Sequence, residues 1–182
     1  MAETEVLANA PRVDALIQEM AQQIRAMGDH QLALVGIHTG GVPLANRLAD
    51  ALEALGAPRP LLGETDITLY RDDLYTGLEK PSLGVTRLPF SVDGARVLLV
   101  DDVLFTGRTV RAAVDLLMDY GRPAWIRLAV LVDRGHRELP IAADIVGMRI
   151  ETELADRVTV AFAETEGRPD EIAIQRRASP GA

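Results

Sequence analysis

The chain has no cysteine, a single lysine (Lys80) and few aromatic residues, 4% of the total. Without cysteine, neither a disulfide framework nor a thiolate metal site can form. With so few aromatics, there is no signature of bases stacked on an exposed aromatic sheet. No apolar run approaches the ~20 residues of a membrane span. The opening Met1-Ala2-Glu3-Thr4-Glu5 is acidic, unlike the basic start of a secretory signal, so cytoplasmic residence is the default expectation. The net charge of −8 speaks against unselective binding of DNA or RNA, while leaving room for a local basic patch. His30, His38 and His136 are too dispersed to suggest a zinc site. What is present is ordinary for one globular domain: 182 residues, 48% hydrophobic and 25% charged.

Hydrophobic periodicity divides the chain into alternating elements. Residues 11–28 read as an amphipathic helix with Val13, Leu16, Ile17, Met20, Ile24 and Met27 on one stripe and Pro11 in its first turn. Leu32 to Ile37 reads as a buried strand, and residues 43–55 as a second helix with Leu44, Leu48, Leu52 and Leu55 inward. Glu64 to Tyr70 alternates like a half-exposed strand. Residues 71–90 carry Gly77, Pro81, Gly84 and Pro89 among charges and read as a long loop, with Arg71, Lys80 and Arg87 as basic candidates for an anionic ligand. Arg96 to Val103, Trp125 to Val132, Ala143 to Val146 and Val158 to Phe162 read as further strands, with a helix over 107–120. Ile172 to Ile174 is expected to be a final edge strand, and 176–182 a loose tail. Strands alternating with helices predict an α/β fold with a mostly parallel central sheet.

The most informative stretch is Val97-Leu98-Leu99-Val100-Asp101-Asp102-Val103-Leu104-Phe105-Thr106-Gly107-Arg108-Thr109. An apolar strand ends in two carboxylates, followed by a short turn and a helix. Carboxylates at the carboxyl end of a strand can accept hydrogen bonds from two vicinal hydroxyls. Amides of the turn and the helix start can cradle a phosphate, with Thr106 and Thr109 as additional hydroxyl donors. Thr39-Gly40-Gly41 also lies between a strand and a helix, and its glycines allow close backbone approach to an anion. In parallel sheets, ligands bind at the carboxyl ends of the strands, so both segments point to one shared site.

The acidic stretch resembles the 5-phosphoribosyl-1-pyrophosphate (PRPP) motif of type I phosphoribosyltransferases. Asp66-Ile67-Thr68-Leu69-Tyr70-Arg71-Asp72-Asp73-Leu74 and Asp133-Arg134-Gly135-His136-Arg137-Glu138-Leu139-Pro140 are more discriminating, and resemble the PyrR family over roughly residues 10–175. The resemblance implies one domain over 1–182 with the type I phosphoribosyltransferase fold, a flexible lid at 71–90 and a small base-binding hood at 133–163. It implies conversion of uracil and PRPP to UMP and pyrophosphate with Mg²⁺ brought by PRPP, no metal being held by a fixed protein site. It also implies binding of pyrimidine-operon messenger RNA when UMP or UTP occupies the site, as homodimers or higher homo-oligomers.

By the same resemblance, Asp101 and Asp102 hold the ribose hydroxyls, Val103, Leu104, Phe105, Thr106, Gly107, Arg108 and Thr109 surround the 5′-phosphate, and Thr39, Gly40 and Gly41 form the pyrophosphate turn. Arg71 is the lid candidate assigned to catalysis, although the sequence does not decide between it, Lys80 and Arg87. Arg134 and the backbone near Val158 are placed at the base. For RNA, Arg12, Arg25, Arg122, Arg137, Arg149 and Arg157 are candidates for a basic face, with Arg25, His136, Arg137 and Arg149 as the contact set. Family members commonly carry arginine where this chain has Gly40, so weaker PRPP affinity is expected and Gly40→Arg is expected to lower the Michaelis constant. Two other readings stay open: an RNA-binding nucleotide sensor with negligible catalysis, and a phosphoribosyltransferase for another base such as orotate or a purine.

Overall fold

The computed structural model describes residues 3–29, 31–67 and 85–176. Its centre is a five-stranded parallel sheet in the order β3-β2-β4-β5-β6: β2 (Leu32–Ile37), β3 (Leu61–Thr65), β4 (Arg96–Leu104), β5 (Trp125–Asp133) and β6 (Ile145–Arg149). All six residues of β2 are buried, as expected for an apolar run at the middle of a parallel sheet covered on both faces. Strand pleating sorts neighbouring residues to opposite faces. Leu34, Leu98, Val100, Ala129 and Leu131 meet helices α1 (Ala10–Ala26) and α2 (Gly41–Ala54) on one face. Val35, Val97, Leu99, Leu128 and Val130 meet α3 (Arg108–Tyr120) on the other.

A second, antiparallel sheet has the order β1-β8-β7, built from β1 (Glu3–Asn9), β7 (Arg157–Ala161) and β8 (Glu171–Arg176), with the one-turn α4 (Ala163–Glu166) between the last two. β1 leads directly into α1, where the Asn9 side chain accepts from the Arg12 amide at 3.3 Å and Pro11 sits in the first turn.

Several expectations move. The segment 172–174 is the core of the middle strand of the small sheet, not an edge, because β1 pairs along its outer side. β1 was not anticipated: Val6 is exposed and Ala8 buried, too short an alternation to stand out. The strand expected at Glu64 to Tyr70 starts earlier, at Leu61, since Gly63 and Glu64 register against Val35 and Gly36. Positions 68–70, most of the expected lid and the tail beyond 176 lie outside the described residues. The strand expected at 143–146 is displaced to Ile145–Arg149, where it pairs with β5. The small sheet therefore joins strands from near both ends of the described residues.

Besides the shared apolar core, an arginine on α2 holds the small sheet in place. Arg47 on α2 donates through Nε and Nη2 to Glu164 at 2.7 and 2.5 Å and through both terminal nitrogens to Asp170, and its guanidinium lies 5.0 Å from the centre of the Phe162 ring. Its hydrogen bonds hold the Asp170 and Glu164 carboxyls below their ordinary values of 3.8 and 4.5. Lowered carboxyl values add stability that is complete above the ordinary values and lost as pH falls through the lowered ones. Arg47→Met is expected to cost roughly 1–2 kcal/mol, after allowance for solvent screening at Glu164. Thermal melts should show that loss at pH 7 and a narrower gap between variant and parent below about pH 4; parallel curves at all pH values would contradict the linkage.

Candidate active site

β2 and β4 are neighbours in a parallel sheet, so their carboxyl ends emerge side by side. After β2 the chain turns through His38, Thr39 and Gly40 into α2, and the His38–Thr39 peptide bond is cis. This turn rests directly on the end of β4. A Cβ placed on Gly41 would run into the Val100 carbonyl, and one placed on Gly40 would run into the Asp102 side chain, with its Cβ only 2.8 Å away. Gly36, within β2, leaves room for the Val42 backbone, whose Cα would lie 2.6 Å from an added Cβ. Glycine is required here for space rather than for unusual torsions, since Gly40 has φ −74°.

The acid pair itself is asymmetric. Asp101 is buried and accepts the Asp102 amide at 3.0 Å, while half-buried Asp102 accepts the Val103 amide at 2.9 Å. Burial, then the neighbouring Asp102 charge, pushes the Asp101 carboxyl well above the ordinary carboxylate value. The pair therefore takes up one negative charge more readily than two. Beyond it, Asp101 and residues Val103 to Val110 line an open cavity of about 340 Å³, wide enough for a small polar ligand. Gly107, in the left-handed region at φ +92°, starts α3, so the first amides of that helix border the same cavity.

Behind this turn lies the 134–141 segment. The Arg134 amide donates to the Leu104 carbonyl at 3.1 Å, and the Glu138 and Leu139 amides donate to the Thr106 carbonyl at 3.0 and 3.3 Å. Arg134 is buried; its terminal nitrogens donate to the Asp156 and Glu153 carbonyls at 2.8 and 2.9 Å, and its guanidinium stacks 4.0 Å from the Phe105 ring centre. Its Nε has no hydrogen-bond partner, and burial lowers the guanidinium from its ordinary value. His136 meets the Phe105 ring edge-on at 6.0 Å and contacts the Thr152 carbonyl at 2.7 Å through Nε2. Thus Phe105 is held between Arg134 and His136, and both reach the turn that leads into β7 and Val158.

The structure brings together Thr39, Gly40, Gly41, Asp101, Asp102 and Val103 to Thr109. It sets Arg134 beside them, and that side chain reaches the 153–156 turn immediately before β7 and Val158. Arg71 and Lys80 lie outside the described residues. Arg87 is described; it bridges Glu64 through paired backbone hydrogen bonds of 2.9 and 2.8 Å and leaves its side chain 74% exposed. Of the four RNA candidates, His136, Arg137 and Arg149 lie at one end of the sheet and Arg25 lies at the other. Arg25, near the end of α1, lines a cavity with Leu32 at the amino edge of the sheet. At the opposite, carboxyl edge the Arg149 backbone lies in register with Asp133, whose carboxylate binds Arg137. His136 and Arg137 are engaged within the 134–141 segment. The support role of that segment was missed in the sequence, although the positive φ of Gly135 (+76°) and His136 (+60°) belongs to a tight turn that an Arg-Gly-His string makes plausible.

A parallel sheet whose β4 ends in an acid pair and an anion-sized turn, with a small sheet above, defines the type I phosphoribosyltransferase class of fold. The family model for the phosphoribosyl transferase domain matches residues 3–164. A "Bifunctional protein PyrR" of Geobacter sp. (strain M21) is 47% identical over 97% of this chain and 100% of its own length, and that of Thermus thermophilus is 49% identical over 88% and 90%. The Deinococcus radiodurans protein of the same name is 54% identical over 79% of this chain and 78% of its own. In fold alone, the chain is similar to the hypoxanthine phosphoribosyltransferase of Trypanosoma cruzi, with a TM-score of 0.70 and 20% identity over 96% and 97% of the two chains. The chain belongs to the PyrR family of phosphoribosyltransferase-domain proteins.

A Cβ at position 40 would meet the Asp102 side chain, so any residue larger than glycine there requires that side chain to shift. Gly40→Ala adds this contact without a guanidinium and is expected to raise the Michaelis constant for PRPP several-fold, on the order of 1 kcal/mol, whereas Gly40→Arg is expected to lower it. Steady-state kinetics of the two variants check this; an unchanged or higher constant for Gly40→Arg would refute the arginine's role.

Proposed function

We propose that this protein transfers the ribose 5-phosphate of PRPP to uracil, forming UMP and pyrophosphate, and that the nucleotide-occupied form binds pyrimidine-operon messenger RNA. The observation that carries the catalytic reading is the glycine turn seated on the acid pair at one sheet edge, with the 104–109 cavity adjoining it. Family membership with proteins named bifunctional supports the pairing of the two activities.

In this reading Asp101 and Asp102 accept hydrogen bonds from the ribose 2′- and 3′-hydroxyls and fix the sugar ring. The amides of residues 105–109 and the hydroxyls of Thr106 and Thr109 receive the 5′-phosphate. Thr39, Gly40 and Gly41 present backbone donors to pyrophosphate, and a basic residue of the 71–90 segment, Arg71, Lys80 or Arg87, adds charge to it. The uracil N1–C1′ bond forms as the C1′–oxygen bond to pyrophosphate breaks; the electron pair leaves with pyrophosphate and the N1 proton is released. Positive charge on the ring and negative charge on the leaving group are what the site must stabilise. Phosphoribosyltransferases generally use Mg²⁺ with PRPP. Among the described residues no three acid or imidazole groups gather, and the oxygen-only acid pair suits an ion that arrives on its substrate. When bound, Mg²⁺ supplies charge neutralisation at the departing pyrophosphate. Arg134 supports the base site by holding the 153–156 turn, from which the main chain near Val158 faces uracil.

RNA binding draws on exposed arginines at the carboxyl edge, Arg149 among them, combined across a homo-oligomer. A nucleotide sensor with negligible catalysis remains the second reading, favoured by Gly40. Incubation with PRPP, Mg²⁺ and single bases is expected to give UMP from uracil and no product from orotate or hypoxanthine. Asp102→Asn should cut turnover about 10²-fold or more; full activity in that variant would refute the role of the acid pair. Gel shifts should require UMP and weaken steeply with salt, and a flat salt response would count against phosphate contacts.

A further inference from the structure

We infer that Arg137 is a positioning residue for anion binding at the 104–109 turn. It clamps the backbone carbonyls on the back of that turn, so that the following amides face the cavity. The inference rests on the functional reading above and adds to it a residue that touches neither sugar nor base.

The geometry is that of a planar fork filled on every side. Arg137 Nη1 donates to the Phe105 carbonyl at 2.6 Å, to the Gly135 carbonyl at 3.0 Å and, more weakly, to the Leu104 carbonyl at 3.5 Å. Nε donates to the Ile141 carbonyl at 3.1 Å and Nη2 to the Asp133 carboxylate at 2.5 Å. Asp133 also accepts the Gly135 amide at 3.0 Å, which fixes the carboxylate that fixes the guanidinium. Only 22% of the side chain is exposed, and its charge is matched four residues earlier by Asp133.

The consequence follows from peptide planarity. In a trans peptide, the carbonyl of one residue and the amide N–H of the next point in opposite directions. The carbonyls of Leu104, Phe105 and Thr106 are all drawn toward the 134–141 segment: the first two reach Arg137, the first also reaches the Arg134 amide, and the third reaches the Glu138 and Leu139 amides. The amides of Phe105, Thr106 and Gly107 are thereby turned the other way, to the side that the cavity occupies. Successive amides aimed at one point make an anion cradle. Backbone amides donate from the 134–141 segment to Leu104 and Thr106; at Phe105 the anchoring donor is the Arg137 side chain. Lysine cannot replace it, because one ammonium cannot reach a fork of separated acceptors.

This assigns Arg137 to the phosphate end of the ligand, which separates it from a residue that merely holds the fold and from one that contacts RNA. The test is NMR or calorimetric titration of parent, Arg137→Lys and Asp133→Asn proteins with UMP and with uridine. In Arg137→Lys, UMP affinity is expected to fall about tenfold or more while uridine affinity stays within about twofold, since the lost contacts serve only the phosphate. The Michaelis constant for PRPP should rise alongside, with that for uracil little changed. Asp133→Asn loosens the clamp without removing it and is expected to show the same selective loss at a few-fold scale; it carries the test if Arg137→Lys does not fold. Equal weakening of UMP and uridine in both variants, or an unchanged ratio, overturns the inference. So does an Arg137→Lys protein that keeps UMP affinity and loses only RNA. A parent protein that binds neither UMP nor PRPP overturns the functional reading itself and this inference with it.

Discussion

The structure depends on one close approach. The turn after β2 lies against the last residues of β4 with no room for a side chain at positions 40 or 41. Because the two strands are parallel neighbours, their carboxyl ends arrive together, and the backbone of one can touch the backbone and the acid pair of the other. The site is therefore a property of sheet adjacency. The acid pair, the glycine turn and the start of α3 share one edge because β2, β4 and their crossover helices leave them nowhere else to go. The same closeness leaves little slack: a methyl group at Gly40 meets the Asp102 side chain.

Around that edge the protein builds support from behind. The 134–141 segment contributes amides, the Arg137 fork and the Arg134–Phe105 stack, and through Glu153 and Asp156 it reaches the small sheet. Buried guanidinium groups are costly unless their donors are met, and here most are met by backbone carbonyls and the Asp133 carboxylate. The exception is Arg134 Nε, a buried donor facing no acceptor. On the far side Arg47 binds Glu164 and Asp170 and holds the small sheet to α2. Arginine thus does the internal joining, consistent with a chain that has almost no lysine: a planar fork satisfies several fixed acceptors at once.

Much of the central sheet was legible in the sequence because its strands are continuous apolar runs ending in turn residues. Leu32 to Ile37 and the run from Val97 into Asp101 could be placed to within a residue. The edges were less legible. Leu61–Thr65 is short and only half-buried, and its pairing with β2 rather than its own alternation sets where it begins. β1 and β8 are separated by most of the chain, and neither carries a strong pattern alone; each is a strand because the other is beside it. For the site, the acid pair and the glycine turn announced themselves by residue type. His136 and Arg137 stood out as RNA candidates but not as supports of the turn, since a basic residue next to a turn looks the same whether it faces solvent or a ring of carbonyls.

By itself, the sequence determined the chemistry available: paired carboxylates at a strand end, glycines where backbone must come close, a helix start after Gly107, and no thiol. These are local matters, decided by residue type and by periods of two and 3.6. Tertiary structure alone decided which segments meet. It put Asp102 against Gly40, turned Arg137 inward onto Leu104 and Phe105, and set Arg25 and Arg149 at opposite edges of the sheet. The reason is physical: contacts between residues far apart in the chain are fixed by strand order and register, and neither is written in the composition of any one segment.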